Sequence, residues 1–142
     1  MVVPYDESYV AKVTETEKAC FAVPWSEGSV RMLLSEPWKA FVCLRDGQFA
    51  AYCGIMLVLD ELSIMNIATL PDFRRTGCAK ELLGAVYAYA KENNASIITL
   101  EVRESNTAAR SLYSSEGFTE AYMRPSYYTN PPEAAIIMEK KL

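Results

Sequence analysis

The stretch that most limits what this chain can become runs from Ile67 to Ala79, Ile-Ala-Thr-Leu-Pro-Asp-Phe-Arg-Arg-Thr-Gly-Cys-Ala. Strand-type apolar residues lead through a proline-started basic turn into the segment Gly77 to Glu92. There Cys78, Leu82, Leu83, Val86 and Ala90 recur at helical spacing, with charged residues opposite. Successive free N–H groups at a helix start, together with the positive end of the helix dipole, make an anion site. Gly77 and Ala79 are small enough for the backbone to approach a pyrophosphate, and Arg74 and Arg75 add positive charge. The plainer alternative is a capped helix behind a basic surface turn. The stretch lacks the Gly-Lys-Ser/Thr ending of a P-loop and the three spaced glycines of a dinucleotide fingerprint.

The remaining segments extend the mixed pattern. Glu7 to Cys20 predicts a helix, and Ser26 can cap a second, short one to about Leu34. Strand-like runs Ala40 to Leu44 and Phe49 to Val58 flank the turn pair Asp46-Gly47, and Leu62 to Leu70 follows as another strand. Ser96 to Val102 is a buried-looking strand. Asn106 can cap a helix through Tyr113 that Gly117 ends. Phe118 to Arg124 and Ala134 to Lys140 predict a final strand pair, separated by a loop holding Tyr127, Tyr128, Pro131 and Pro132. Helices interspersed among strands in this order predict an α+β sheet with helices on its faces. With 142 residues, 51% hydrophobic and 23% charged, and without linkers or repeats, residues 1–142 are expected to form a single domain.

The chain contains no histidine, which removes Ser-His-Asp and Cys-His catalysis. A general base must come from a carboxylate, Tyr, Lys or Cys. Cys20, Cys43, Cys53 and Cys78 form no C-x-x-C pair and are expected to be thiols. A net charge of −4 supplies no field for nucleic acid, and a basic peptide is the easier charged partner. No run is long and apolar enough for a membrane span, and Met1 to Asp6 lacks signal-peptide character, so a cytoplasmic location is expected.

Alternation along the strand from Ser96 puts Ile98, Leu100 and Val102 on one face and Ile97, Thr99, Glu101 and Arg103 on the other. Glu101 is then either a functional carboxylate or one solvated and paired with a nearby Arg or Lys. Ala109, Leu112 and Tyr113 share a helix face, on which Tyr113 reads equally as a core aromatic.

The run Arg-Arg-x-Gly-x-Ala after a strand ending Ile-Ala resembles the coenzyme A signature of the GNAT acetyltransferases. Leu100-Glu101-Val102-Arg103, Asn106, Ala109, Leu112-Tyr113 and Gly117-Phe118 resemble the RimI type within that family, which acetylates the N-terminal alanine of a small-subunit ribosomal protein. Phe21-x-x-Pro24-Trp25 and Arg124-x-x-Tyr127-Tyr128 fit the same group, so the resemblance covers almost the whole chain.

The resemblance implies a GNAT fold: a mixed, mostly antiparallel sheet of about six to seven strands flanked by about four helices. It implies acetyl-CoA as co-substrate, bound at Ile67, Ala68, Thr69, Arg74, Arg75, Thr76, Gly77, Cys78, Ala79 and Asn106. The strands at Leu62 and Ser96 would run parallel and splay apart to admit the pantetheine arm. Glu101 would be the general base, acting through water, and Tyr113 the acid; Phe21, Pro24, Trp25, Tyr127 and Tyr128 would border the acceptor. No metal is required.

The partner implied is a protein N-terminus, with no direct nucleic-acid or membrane contact and a monomeric or weakly dimeric enzyme. Alternatives are a small-molecule amine as acceptor, or a non-catalytic acetyl-CoA sensor. One departure bears on acceptor choice: the family's Glu-Asp-Ala before the last strand reads Glu133-Ala134-Ala135 here.

Overall fold

The computed structural model describes residues 1–142. Its strands are β1 (Val2–Pro4), β2 (Trp38–Arg45), β3 (Gln48–Val58), β4 (Glu61–Thr69), β5 (Ile97–Arg103), β6 (Thr119–Tyr128) and β7 (Glu133–Lys141). The helices are α1 (Val10–Cys20), α2 (Glu27–Met32), α3 (Cys78–Glu92) and α4 (Thr107–Ser115). All seven strands join one sheet in the order β1-β2-β3-β4-β5-β7-β6. Every neighbouring pair is antiparallel except β4 and β5.

Local chemistry sets most boundaries. Asp46 and Gly47 both adopt positive φ, which lets the two-residue turn between β2 and β3 follow the twist of the hairpin. Ser26 caps α2 by accepting from the Ser29 N–H at 3.2 Å. The helix expected from Glu7 is divided: Asp6 accepts from the Ser8 N–H and starts a 3-10 turn over Glu7–Tyr9, and α1 proper begins at Val10. The loop expected around Tyr127 and Tyr128 is also corrected, since β6 runs on through both residues. Strand β1 is too short for periodicity to announce, and its three residues pair with Phe41 to Cys43.

The helices cover both faces of the sheet. On one face Leu82, Leu83, Val86 and Ala90 of α3 share a core with Ile55, Leu62, Ile64, Ile98 and Leu100, joined by Tyr113 and Phe118. On the other, Val10 and Val13 of α1, Val30 of α2 and its C-cap Leu33 meet Val42, Tyr52 and Ala68.

A bulge in β4 explains how one strand serves both cores. Ile55 faces Ile64 while Gly54 faces Asn66, so Met65 is one residue too many for the ladder. The extra residue inverts the alternation. Leu62 and Ile64 therefore point to the α3 side, and Ala68 points to the α1 side.

Candidate active site

Parallel pairing of β4 with β5 lasts only from Glu61↔Ile97 to Ile64↔Leu100. The bulge follows at once, and the two strands continue without a shared ladder toward Thr69 and Arg103. Beyond Ile64 the β5-side edge of β4 has no strand partner, so an extended amide-bearing chain can add along Ile67 and Ala68, while Thr69 O already accepts from Cys20 Sγ and Arg74 Nε, each at 3.4 Å. The splay expected between these strands is present.

The same strand leads into the basic turn. Gly77 holds φ +84° as the N-cap of α3 and supplies no side-chain cap. Arg75 also has positive φ, at 62°. The first helical donor with a carbonyl partner is the Glu81 N–H on Gly77 O at 3.0 Å, so the N–H groups of Cys78, Ala79 and Lys80 have no intrahelical acceptor. Arg74, Arg75 and Thr76 are exposed around them. Arg45, which the sequence did not single out, braces the turn from β2. Its guanidinium donates to Thr76 O at 2.7 Å and pairs with Glu81 in the first turn of α3. Arg74 also reaches back to Thr69 O at 3.4 Å and Cys20 Sγ at 3.7 Å. An open helix start beside two exposed arginines is a geometry that suits an anion such as pyrophosphate.

Glu101 lies on β5 just past the last residue paired with β4, with its side chain reaching solvent. Three residues of β6 and its end gather on it. Arg124 Nη1 stands 4.0 Å from Glu101 Oε1. The Tyr127 phenol is raised in pKa first by its interaction with the Glu101 carboxylate and then by burial. Tyr128 is pushed up to about 12, by burial first and by the Glu101 charge second. The two phenol rings meet edge to face, with centroids 5.0 Å apart.

Tyr113 is a core aromatic. Its ring is buried in the α3-side core and packs edge-on against Phe118. Its hydroxyl makes no hydrogen bond, yet the protein leaves no sealed side-chain polar atom without a partner, so that oxygen opens to the surface. Burial, followed by the nearby Cys53 and Tyr128, raises its pKa and keeps it protonated. Asn106 caps α4 through Oδ1, which accepts from the Ala109 N–H at 3.1 Å. All four cysteines are free thiols.

Phe21, Pro24 and Trp25 occupy the connection between α1 and α2, where Phe21 and Pro24 are exposed and Trp25 is half-buried. Sequence reasoning missed what holds this loop. Glu17 on α1 is fully buried and accepts from the Trp25 N–H at 2.8 Å, the Tyr52 hydroxyl at 2.6 Å and Asn66 Nδ2 at 3.0 Å. No helix of the protein is long and apolar enough to cross a membrane.

Residues 10–118 match the acetyltransferase (GNAT) family. The chain is 39% identical over 124 residues to the ribosomal protein bS18-alanine N-acetyltransferase of Escherichia coli strain K12, covering 86% of this chain and 84% of that protein. The crystal structure of the ribosomal-protein-S18-alanine N-acetyltransferase from Escherichia coli superposes with a TM-score of 0.92 at 34% identity, covering 99% of this chain and 92% of that one. Arabidopsis thaliana Naa50, in complex with the bisubstrate analogue CoA-Ac-MVNAL, shares the fold with a TM-score of 0.87 at 18% identity, covering 100% of this chain and 98% of that one.

Proposed function

Because this chain belongs to the GNAT acetyltransferase family and is an acetyl-CoA-dependent N-acetyltransferase, we propose that its acceptor is the α-amine of a protein N-terminus, led by alanine, on a small-subunit ribosomal protein. Residues 1–142 act as one catalytic unit in the cytoplasm. The co-substrate supplies the acetyl thioester. Ile67 to Thr69 bind its pantetheine arm, the turn from Arg74 to Ala79 binds its pyrophosphate, and Asn106 contacts it at the start of α4. The uncapped start of α3 and the unpaired edge of β4 support this assignment.

The observation that carries the reading is the position of Glu101. It stands at the open end of the β4–β5 gap, facing Tyr127 and Tyr128, which supports that point as the meeting place of donor and acceptor chains. Acyl transfer needs a neutral amine. An α-amine has a pKa of about 7.7 to 8.0 and a lysine side chain about 10.4, so the N-terminus is easier to deprotonate by about 3.5 kcal/mol. A single carboxylate working through water suffices as the base. Glu101 takes the proton from the attacking amine, and Tyr113 returns one to the departing thiolate. Phe21, Pro24, Trp25, Tyr127 and Tyr128 line the extended acceptor, excluding large first side chains.

Competition in one tube tests the acceptor. An Ala-led peptide, its N-blocked twin with an internal Lys, and a polyamine are offered together with acetyl-CoA, and mass spectrometry gives relative kcat/KM. The Ala-led peptide should dominate. A win by the blocked peptide or the polyamine would refute the N-terminal assignment.

A further inference from the structure

Glu17 is a carboxylate in the wrong place for a structural residue. It is fully buried, and neither Lys nor Arg pairs with it. Taking a carboxylate out of water without a counter-ion is costly, and here three neutral hydrogen bonds are its compensation. Each donor comes from a different element. Oε1 accepts from the backbone of Trp25, in the loop between α1 and α2. Oε2 accepts from Tyr52 on β3 and from Asn66 on β4. Asn66 is the first residue past the bulge at Met65, the point from which β4 parts from β5. One side chain thus ties the loop carrying Phe21, Pro24 and Trp25 to the hinge of the gap that admits the pantetheine arm.

We infer that Glu17 is a positioning residue that couples the two substrate sites, transmitting the state of the β4–β5 gap through Asn66 to the acceptor loop at Trp25. The inference rests on reading that gap as the CoA cleft. Filling the gap displaces or orders the strand edge beyond Met65. Asn66 moves with it, and the rigid carboxylate carries the change to the Trp25 N–H. Tyr52 anchors the carboxylate on the neighbouring strand, so that motion is directed to the loop instead of being lost in a side-chain rotation.

The chain has two tryptophans, so Trp38→Phe leaves Trp25, in the loop itself, as the sole tryptophan, excited selectively over the tyrosines. In that background CoA is titrated while Trp25 emission is recorded, and CoA affinity is measured separately by calorimetry. The Trp38→Phe protein should show a saturable change in emission that follows CoA occupancy. Glu17→Met and Asn66→Ala should each bind CoA within about fivefold of that background, less than the span of typical site-to-site couplings, and lose most of the emission change. Asn66→Ala leaves the bonds to Tyr52 and Trp25 in place, so it carries the test alone if Glu17→Met does not fold. CoA binding with a silent Trp25, or an undiminished response in either folded variant, overturns the inference. A Trp38→Phe protein that binds no CoA overturns the cleft assignment and the coupling together.

Discussion

Arg103 lays its guanidinium over the ring of Tyr128, 4.5 Å from the centroid, while the same group binds the turn that follows. It donates to Thr129 O at 3.0 Å, to Pro131 O at 3.0 Å and to the Glu133 carboxylate at 3.2 Å. Glu133 also accepts from the Ser105 N–H at 2.6 Å, and the Ser105 side chain, then this backbone bond, with Arg103 behind them, hold its carboxyl below the usual range. The end of β5 therefore grips the β6–β7 turn beside Glu101.

Replacing Arg103 with Lys keeps the charge but not the planar fork that serves several acceptors at once. Arg103→Lys should lower stability by about 1–2 kcal/mol. It should raise the KM for the acceptor peptide and leave CoA affinity unchanged. Steady-state kinetics with each substrate varied in turn separates these effects; a change confined to CoA would remove the turn from the acceptor site.

Two substitutions distinguish base from acid. Glu101→Gln should cut the rate on the order of 10²-fold or more, recovering in part at higher pH as the amine deprotonates without help. Tyr113→Phe should lose a similar amount with no such recovery. Parallel pH–rate profiles for the two variants would contradict their separate roles.

The donor turn is tested by ligand-induced stabilisation. At about 100 Kd of acetyl-CoA the native protein should gain about 2.7 kcal/mol. Gly77→Asp places a side chain at φ +84°, which costs about 1–2 kcal/mol by itself, and points negative charge toward the pyrophosphate. Thermal melts should then show a lower midpoint and almost no shift with ligand. A full shift in the variant would place the phosphates elsewhere.

Burial holds the Glu17 carboxyl above its usual value of 4.5. The folded chain therefore binds this proton more tightly than the unfolded chain. The stability contributed is complete below 4.5 and is lost as pH rises through the higher folded value. Against Glu17→Gln, which does not titrate, the native protein should lose ground as pH climbs above 4.5. Unfolding midpoints of both proteins across that range measure the difference. A flat difference would mean that Glu17 titrates as it does in the unfolded chain, and an opposite slope that its hydrogen bonds outweigh its burial.

What the sequence made legible was local. The turn from Arg74 to Ala79 declares itself because strand, basic residues, glycine and helix follow one another within the chain. Alternation on one strand gives the face on which Glu101 lies, while its proposed role comes from the resemblance. No such local signal marks Glu17. In the sequence it sits between Thr16 and Lys18 in a charged helix, and its partners Tyr52 and Asn66 lie 35 and 49 residues away. Only the folded sheet brings them to it. The reach of β6 was hidden for another reason: its register slips between Arg124 and Tyr128, and Ser126 takes a positive φ, so the run lacks regular alternation where Tyr127 enters the site. For Tyr113 the periodicity announces burial of the ring but not an unpartnered hydroxyl at the surface.

Strand β6 hydrogen-bonds to β7 alone at the rim of the sheet, and its residues Thr119 to Tyr127 are all exposed. A wall that contributes no core side chain can change composition at little thermodynamic expense, typically within about 0.5 kcal/mol per exposed substitution. Tyr113, the proposed acid, is differently placed, since it is packed into the core, and the end of the β4–β5 ladder is set by the bulge in β4. Lineages descended from such a scaffold can therefore exchange one acceptor for another by altering the rim, while the donor chemistry stays fixed by the demands of folding.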